Sequence, residues 1–159
     1  VFSLVISFQV VAVLLIGCLG GQNAAALSQV AYLSLGLLLF QAFDLQVFTQ
    51  GGGLSYLREP SFGYLLGFIP AAWVCGYLAF WETLKLENLA LSCLSGLATI
   101  HAVGLVYLPL AYVLQWTGEN APSLTEAVFI YSIAPMPGQL ILVCAVSVLA
   151  YSMRQIMFY

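Results

Sequence analysis

Apolar runs about twenty residues long follow one another almost without interruption, and they constrain the fold more than any other feature. They occupy residues 1–20, 24–42, 62–81, 89–116 and about 138–158. A helix of about 20 apolar residues spans a hydrocarbon layer of roughly 30 Å. Only 6% of the residues are charged, too few to cover a soluble domain. The sequence predicts one all-α transmembrane domain over residues 1–159, a compact bundle of five transmembrane helices.

Short polar segments join these runs. Gly20-Gly21-Gln22-Asn23 predicts a tight hairpin, because Gly and Asn tolerate the left-handed backbone that ends a helix. Residues 82–88 are expected to form a charged turn, and residues 117–123 a polar loop. After that loop, Ser123 or Thr125 can cap a helix that carries Glu126 in its first turn, where the helix dipole favours an anion.

Small residues form two stripes at helical spacing. In the third run, Gly63, Gly67, Ala71 and Cys75 recur every four residues. Such a face lets a neighbouring helix approach closely. Van der Waals packing between close helices is a main source of helix association in lipid. The second run carries a similar stripe, which consists of Ala25, Ser28, Tyr32, Leu35 and Gly36.

Prolines predict where helices bend or break. Pro70 is expected to kink the third helix and Pro109 to bend the fourth, since each removes a backbone donor. Pro135 and Pro137 cannot both continue an α-helix, so irregular backbone is predicted at 134–138, between a short helix and the last span. Exposed backbone at membrane depth requires cover from protein or a cavity.

The connection at 43–62 is the one long loop in this segmentation. It contains a glycine triplet at 51–53 and the corner Arg58-Glu59-Pro60. A loop of this length over a compact bundle is more often functional than idle, although a solvated re-entrant linker is the alternative. The glycines would let backbone approach a small ligand, and Arg58 could meet a carboxylate, Glu59 or lipid phosphate.

Three polar side chains inside apolar runs are candidates for a buried site. Gln9 is expected to bond to another helix or to contact a ligand. His101 is interpreted as a hydrogen-bonded core residue, with a proton-relay or ligand role as the alternative. Gln139 follows the proline break, near backbone N–H groups that could bind a polar ligand.

The cysteines and the charges exclude several classes of protein. Cys18, Cys75, Cys93 and Cys144 lie in apolar runs without Cys-x-x-Cys spacing, which favours small buried hydrophobic side chains over disulfides or metal ligands. The chain has three Lys and Arg residues, too few for a nucleic-acid partner. With no nucleophile and base pair and no metal cluster in the pattern, we expect no enzyme, no catalytic residue, no metal and no cofactor. No leader pattern precedes the first run, and the sequence begins at Val rather than Met, so we expect the true N-terminus to be missing.

The three basic residues predict the orientation of the chain in the membrane. Five spans place Lys85 and Arg154 on one side of the membrane and Arg58 on the other. The positive-inside bias then predicts a cytoplasmic C-terminus and an outward-facing 43–62 loop.

Several short motifs, in order, are similar to those of one known family. They are Ser7-Phe-Gln9, Leu14-Leu-x-Gly17-x-x-x-Gly21, Ala26-Leu-Ser-Gln-Val-Ala-Tyr32-Leu-x-Leu-Gly36-Leu, Gly52-Gly53-x-x-Tyr56-Leu57, Pro60-Ser-Phe-Gly63-Tyr64-Leu-Leu-Gly67-Phe68, Ala71-Ala72-x-x-x-Gly76 and Pro135-x-Pro137-Gly138. They resemble the BioY family, the biotin-binding S components of energy-coupling factor (ECF) transporters. The resemblance covers most of the chain.

The resemblance implies a fold, a ligand and partners. Family members have six spans, and the first, which docks the transmembrane T component, is expected to be missing here. The implied ligand is biotin, and the implied partners are the lipid bilayer, a T component and ATPase subunits. The ligand-binding residues that it implies are Gln9, Gly52, Gly53, Tyr56, Phe62, Tyr64 and Gln139. The family's Gly-Asp-x-x-Lys reads Gly138-Gln139-Leu-Ile-Leu142 here, so an amide and an aliphatic side chain replace an acidic and a basic one.

Two hypotheses of function follow. The first is a subunit of the plasma membrane that captures biotin or a similar small vitamin-like compound in a pocket lidded by residues 48–62. Its energy would come from partner ATPases, because the chain has no Gly-x-x-x-x-Gly-Lys-Ser/Thr loop. The second is a BioY-like structural subunit of a larger membrane complex, such as a photosynthetic one in a thylakoid or plastid membrane, that has lost biotin binding.

Overall fold

The computed structural model describes residues 8–43, 45, 54–81, 83–116 and 122–157. Every regular element in these residues is helical. The elements are α1 (Phe8–Phe43), a 3₁₀ turn (Leu54–Arg58), α2 (Phe62–Leu66), α3 (Phe68–Trp81), α4 (Leu86–Val113), α5 (Leu124–Val128), a π-helical turn (Phe129–Ile133) and α6 (Met136–Met157).

The helices have the length and composition of membrane spans. Four helical stretches within the described residues are long and apolar enough to cross a membrane, namely Phe8–Phe43, Phe62–Trp81, Leu86–Val113 and Leu124–Met157. The predicted all-α membrane fold is confirmed. The count of five crossings stays a prediction.

Helix α1 folds back on itself at Gly21. The Gln9 Nε2 donates a hydrogen bond of 2.9 Å to the Tyr32 hydroxyl, although a straight helix would separate the two residues by about 35 Å at 1.5 Å per residue. Gly21 has φ 74° and ψ 174°, a conformation that is essentially restricted to glycine. The two arms, 8–20 and 22–43, therefore pack side by side, and the predicted hairpin is confirmed.

Replacing Gly21 with alanine should destabilise the hairpin by about 1–2 kcal/mol, because a Cβ strains this backbone conformation. The surroundings leave room, since the nearest atoms to such a Cβ are in the Phe80 ring at 3.8 Å. Gly20→Ala is the matched control, because its Cβ would make ordinary contact with Ala24 at 3.7 Å. Unfolding of the two variants in mixed detergent micelles measures the difference, and equal stabilities would contradict the strain.

The small-residue face of α2 and α3 packs against α4. A Cβ on Gly67 would lie 3.1 Å from the Cα of Ile100, and one on Gly63 would overlap the side chain of Tyr107. One turn further along, Gly96 of α4 makes room for Cys75. The prediction that this face packs closely against a neighbouring helix is confirmed. On the second arm of α1, Ala25 and Gly36 of the predicted stripe are buried, but Leu35 is 54% exposed while Gln29 and Leu33 are buried instead.

Helix breaks lie before Pro70 and at Pro135, whereas Pro109 lies inside the continuous helix α4. Pro70 is the third residue of α3, and α2 ends ahead of it, at Leu66. The predicted irregular backbone at 134–138 is confirmed in part: Ala134 and Pro135 form a turn, but α6 already begins at Met136, before Pro137, and a π-helical turn over Phe129–Ile133 precedes them. A proline withholds the donor that the carbonyl four residues earlier would use, so the disturbance falls upstream of the proline.

Other predicted boundaries need smaller corrections. Helix α4 runs from Leu86 to Val113 rather than over 89–116, so part of the predicted charged turn at 82–88 is helical. Ser123 does cap α5, since its Oγ accepts from the Glu126 N–H at 3.4 Å. Cys144 is exposed, which corrects its assignment as a buried side chain. The glycine triplet at 51–53 lies outside the described residues.

Candidate ligand-binding site

A cavity of about 170 Å³ opens between the two arms of α1 and the start of α3. It is lined by Gln9, Ala12, Val13, Ile16, Ser28, Gln29, Tyr32 and Phe68. The fold-back at Gly21 brings the amide of Gln9 to the phenol of Tyr32. Phe68 forms an aromatic wall. The cavity therefore combines a few convergent polar groups with an apolar lining, as small-molecule sites do.

The polar side chains of the second arm are ordered by hydrogen bonds. The Ser28 Oγ donates to the carbonyl of Ala25 at 2.7 Å, and the Gln29 Nε2 donates to the Ser28 Oγ at 3.4 Å. Gln29 is buried at 5% exposure. Side-chain amides both donate and accept hydrogen bonds, so this wall can recognise a ligand that carries both kinds of group.

A second polar group, the tyrosine–histidine cluster, consists of Tyr64, His101, Ser132 and Gln139. The His101 Nε2 and the Gln139 Oε1 are 2.7 Å apart, and the Tyr64 hydroxyl is 2.5 Å from the Ser132 Oγ. The Tyr64 ring meets the imidazole edge-on, with centroids 5.9 Å apart. Because Gln139 accepts through its carbonyl oxygen, the Nε2 of His101 carries the proton.

The Nδ1 of His101 is buried and has no hydrogen-bond partner among the described residues. In this tautomer it is an acceptor, and an unpaired buried acceptor costs about 1–3 kcal/mol. A ligand N–H or O–H would remove that cost. The prediction that His101 is a buried, hydrogen-bonded core residue is confirmed by the contact of its Nε2. The alternative, a ligand role for His101, stays a prediction and concerns its Nδ1.

Local sequence explains how the cluster assembles. Gly104 lies three residues after His101 on the same face of α4, and a Cβ there would overlap the Tyr64 ring, so the glycine makes room for tyrosine. The π-helical turn presents Ser132, and the early start of α6 places Gln139 in its first turn. Turns of π-helix often occur at functional sites.

Tyr56 and Phe62 form an aromatic contact that holds the segment before α2 against α4. Both are buried, and their rings meet edge-on with centroids 6.0 Å apart. Phe62 also packs against Tyr107, whose hydroxyl donates to the carbonyl of Leu57. Arg58 and Glu59 are exposed. The ligand role of Tyr56 and Phe62 stays a prediction.

The predicted site residues fall into three groups rather than one. Of the predicted ligand-binding residues that the structure describes, only Gln9 lines the cavity. Tyr64 and Gln139 meet in the tyrosine–histidine cluster, and Tyr56 and Phe62 meet beside α4. The predicted Gly52 and Gly53 lie outside the described residues.

Sequence reasoning missed two partners in these groups. Tyr32 was assigned only to a packing stripe, although a phenol inside an apolar run is itself a signal for a buried hydrogen bond. Ser132 gave no signal beyond its position just before the proline break. Each is revealed by its partner, Gln9 for Tyr32 and Tyr64 for Ser132.

The family comparison covers almost the whole sequence. The model of the BioY family matches residues 1–158. This chain belongs to the BioY family. The resemblance inferred from the motifs is thereby confirmed, and together with the long apolar helices it makes the chain an integral membrane protein.

Two relatives of this BioY-family chain carry different names. One is an "uncharacterized 21.2 kDa protein in psbX-ycf33 intergenic region" of Cyanophora paradoxa, 34% identical over 152 residues, which cover 96% of this chain and 75% of the relative. The other is a "probable biotin transporter BioY" of Lysinibacillus sphaericus, 41% identical over 106 residues, which cover 66% of this chain and 52% of the relative. The second match therefore spans about half the length of that protein. No solved structure matches the chain significantly.

Proposed function

We propose that this chain captures biotin, or a similar small vitamin-like compound, for uptake across the membrane. The observation that carries the proposal is the cavity between the arms of α1, where the Gln9 amide and the Tyr32 phenol lie in an apolar lining. Polar side chains inside a membrane protein are costly and usually functional. The 41% identity to a probable biotin transporter supports the same ligand.

The chemistry of biotin suits this lining. Its ureido group carries one carbonyl acceptor and two N–H donors, which a side-chain amide can match. Its sulfur ring and aliphatic chain suit the apolar side chains of Val13, Ile16 and Phe68. Outside this lining, the Nδ1 of His101, which has no partner among the described residues, is a second acceptor for a ligand N–H, and Gln139 keeps the imidazole in the required tautomer.

Transport by this chain would depend on partner proteins. Nothing in the sequence resembles an ATP-binding loop, so ATPase subunits and a transmembrane T component would supply the energy and the movement. In this proposal the C-terminus is on the cytoplasmic side of the plasma membrane, and the ligand enters from the opposite side.

A second candidate function is a structural subunit of a larger membrane complex, such as a photosynthetic one, without biotin binding. The cavity of about 170 Å³ is smaller than the 300–1,000 Å³ typical of small-molecule sites. Tyr64, Ser132 and Gln139 hydrogen-bond within the protein. The Cyanophora paradoxa relative, in the psbX-ycf33 intergenic region, agrees with a thylakoid or plastid membrane.

Binding of labelled biotin to the detergent-purified protein tests the proposal. We expect saturable binding, and we expect Gln9→Leu to weaken it about 5- to 30-fold through loss of one hydrogen-bonding partner, about 1–2 kcal/mol. Gln155→Leu is the matched control, because the Gln155 Nε2 also donates to a tyrosine hydroxyl, that of Tyr151 at 2.8 Å, but on an exposed face of α6.

The outcome separates the two candidates. Saturable binding that depends on Gln9 and not on Gln155 supports capture. A folded wild-type protein that binds no biotin rejects capture and favours the structural subunit.

A further inference from the structure

Three cysteine thiols meet in the interior of the bundle. Cys18 lies on the first arm of α1, Cys75 on α3 and Cys93 on α4, and each is fully buried. The Cys18 Sγ is 3.4 Å from the Cys93 Sγ and 3.7 Å from the Cys75 Sγ, and the three sulfur atoms all lie within 4.8 Å of one another. We call this group the thiol cluster.

The thiol cluster is separate from the candidate ligand-binding site. Cys93 lies more than two helical turns before His101 on α4. Cys18 is close to the hairpin turn at Gly21, whereas Gln9 is near the other end of the same arm. The proposed binding of biotin therefore makes no use of these thiols.

We propose that the thiol cluster binds one thiophilic divalent metal ion of the Zn²⁺ and Cd²⁺ type. Zinc–thiolate bonds are about 2.3 Å long, so tetrahedral thiolate ligands lie about 3.8 Å apart. The sulfur separations of 3.4 and 3.7 Å are already close to that value. Small side-chain movements would complete three metal–sulfur bonds, each formed as a thiol gives up its proton to solvent.

A buried positive charge near the thiol cluster supports an anionic metal–thiolate group. Three thiolates and one divalent ion carry a net charge of −1. Arg154 is only 8% exposed, and within the part of the chain that the structure describes its Nε is buried without a hydrogen-bond partner. Its Nη1 donates to the carbonyl of Ala79 at 2.7 Å, one turn beyond Cys75 on the same face of α3. The guanidinium would neutralise the site, which matters because isolated charge inside a membrane protein is costly.

The fourth coordination position has a candidate in Ser147 of α6. Its side chain is buried and lies beside Cys93, while its hydroxyl donates to the carbonyl of Val143 at 2.6 Å. Either this oxygen or a water molecule would complete a tetrahedron. The bound ion would link α1, α3 and α4, so it should stabilise the fold by binding the native state alone.

Titration of the reduced, metal-free protein with Cd²⁺ tests the proposal. We expect an ultraviolet thiolate-to-cadmium charge-transfer band that saturates at about one equivalent, and a higher midpoint of thermal unfolding. Cys18→Ser, Cys75→Ser and Cys93→Ser should each weaken binding at least about tenfold. Cys144→Ser should leave the charge-transfer titration unchanged, because Cys144 lies outside the group of three sulfur atoms. Arg154→Gln should weaken binding, and Arg154→Lys should retain it.

Sulfur coordination in the wild-type protein gives a measurement that does not depend on variant folding. X-ray absorption of the cadmium-loaded wild type should show three sulfur ligands. The proposal is overturned if the folded protein gives no charge-transfer band, if absorption shows only oxygen or nitrogen ligands, or if Cys144→Ser removes the signal.

Discussion

Replacing Gly76 with alanine is expected to destabilise the protein by about 3 kcal/mol, the upper end of the usual cost of overpacking. The hairpin turn of α1 lies directly against Gly76 of α3. A Cβ there would be 2.6 Å from the backbone nitrogen of Gln22 and 2.7 Å from the carbonyl carbon of Gly21. Backbone cannot rotate away as a side chain can, so one of the two helices must shift.

Equilibrium unfolding in mixed detergent micelles measures this cost. Gly20→Ala is again the control, since its nearest neighbours at 3.7 and 3.9 Å leave room for a methyl group. If Gly76→Ala proves as stable as Gly20→Ala, the two arms of α1 do not pack on α3 as described.

Removing the side chains of the tyrosine–histidine cluster is expected to have the largest effect on ligand binding. Tyr64→Ala and Gln139→Ala should each weaken biotin binding by about 1–3 kcal/mol per unsatisfied ligand group, or about 5- to 150-fold. The larger value is expected for Gln139→Ala. It removes the partner that fixes the His101 tautomer, so the imidazole can also take the tautomer in which Nδ1 carries the proton and no longer accepts.

Titration calorimetry with biotin, run beside thermal unfolding, measures this effect. Tyr77→Ala is a suitable control, because Tyr77 stacks on Trp73 on α3, with ring centroids 5.4 Å apart, away from the cluster. Unchanged affinity in both Tyr64→Ala and Gln139→Ala would remove these residues from the site. It would leave the cavity of Gln9 and Tyr32 as the remaining candidate.

Features that depend on neighbouring residues in the chain could be predicted from the sequence. Runs of apolar residues predicted the membrane helices, and the third run has the observed limits, 62 and 81. Gly21 predicted the hairpin because its left-handed backbone is a property of one residue. The Ser123 cap depends on Glu126, only three residues away. In each case the physical cause lies within about one helical turn.

Two predictions from the sequence were only partly correct, because they depend on more than the neighbouring residues in the chain. The prolines at 135 and 137 predicted irregular backbone over 134–138. Ala134 and Pro135 do form a turn, but residues 136–138 are helical, and the disturbance extends upstream into the π-helical turn because the carbonyls of Tyr131 and Ile133 lose their donors. A small-residue stripe predicted a packed face, yet Leu35 in the second run is exposed. If a helix is rotated about its axis by the angle between two successive residues, a different set of side chains faces the core. Only packing against the neighbouring helix fixes that rotation.

The sequence by itself determined the membrane class, the helical fold, the hairpin turn and the family, because hydropathy, backbone conformation and motif order are local properties. Only the tertiary structure decided which polar groups meet. His101 and Gln139 are 38 residues apart, and Cys18 and Cys93 are 75 residues apart. Their contacts depend on the packing of α1, α4 and α6, for which no local pattern exists. For the same reason the cysteines were interpreted as separate hydrophobic side chains, although three of them form one buried cluster.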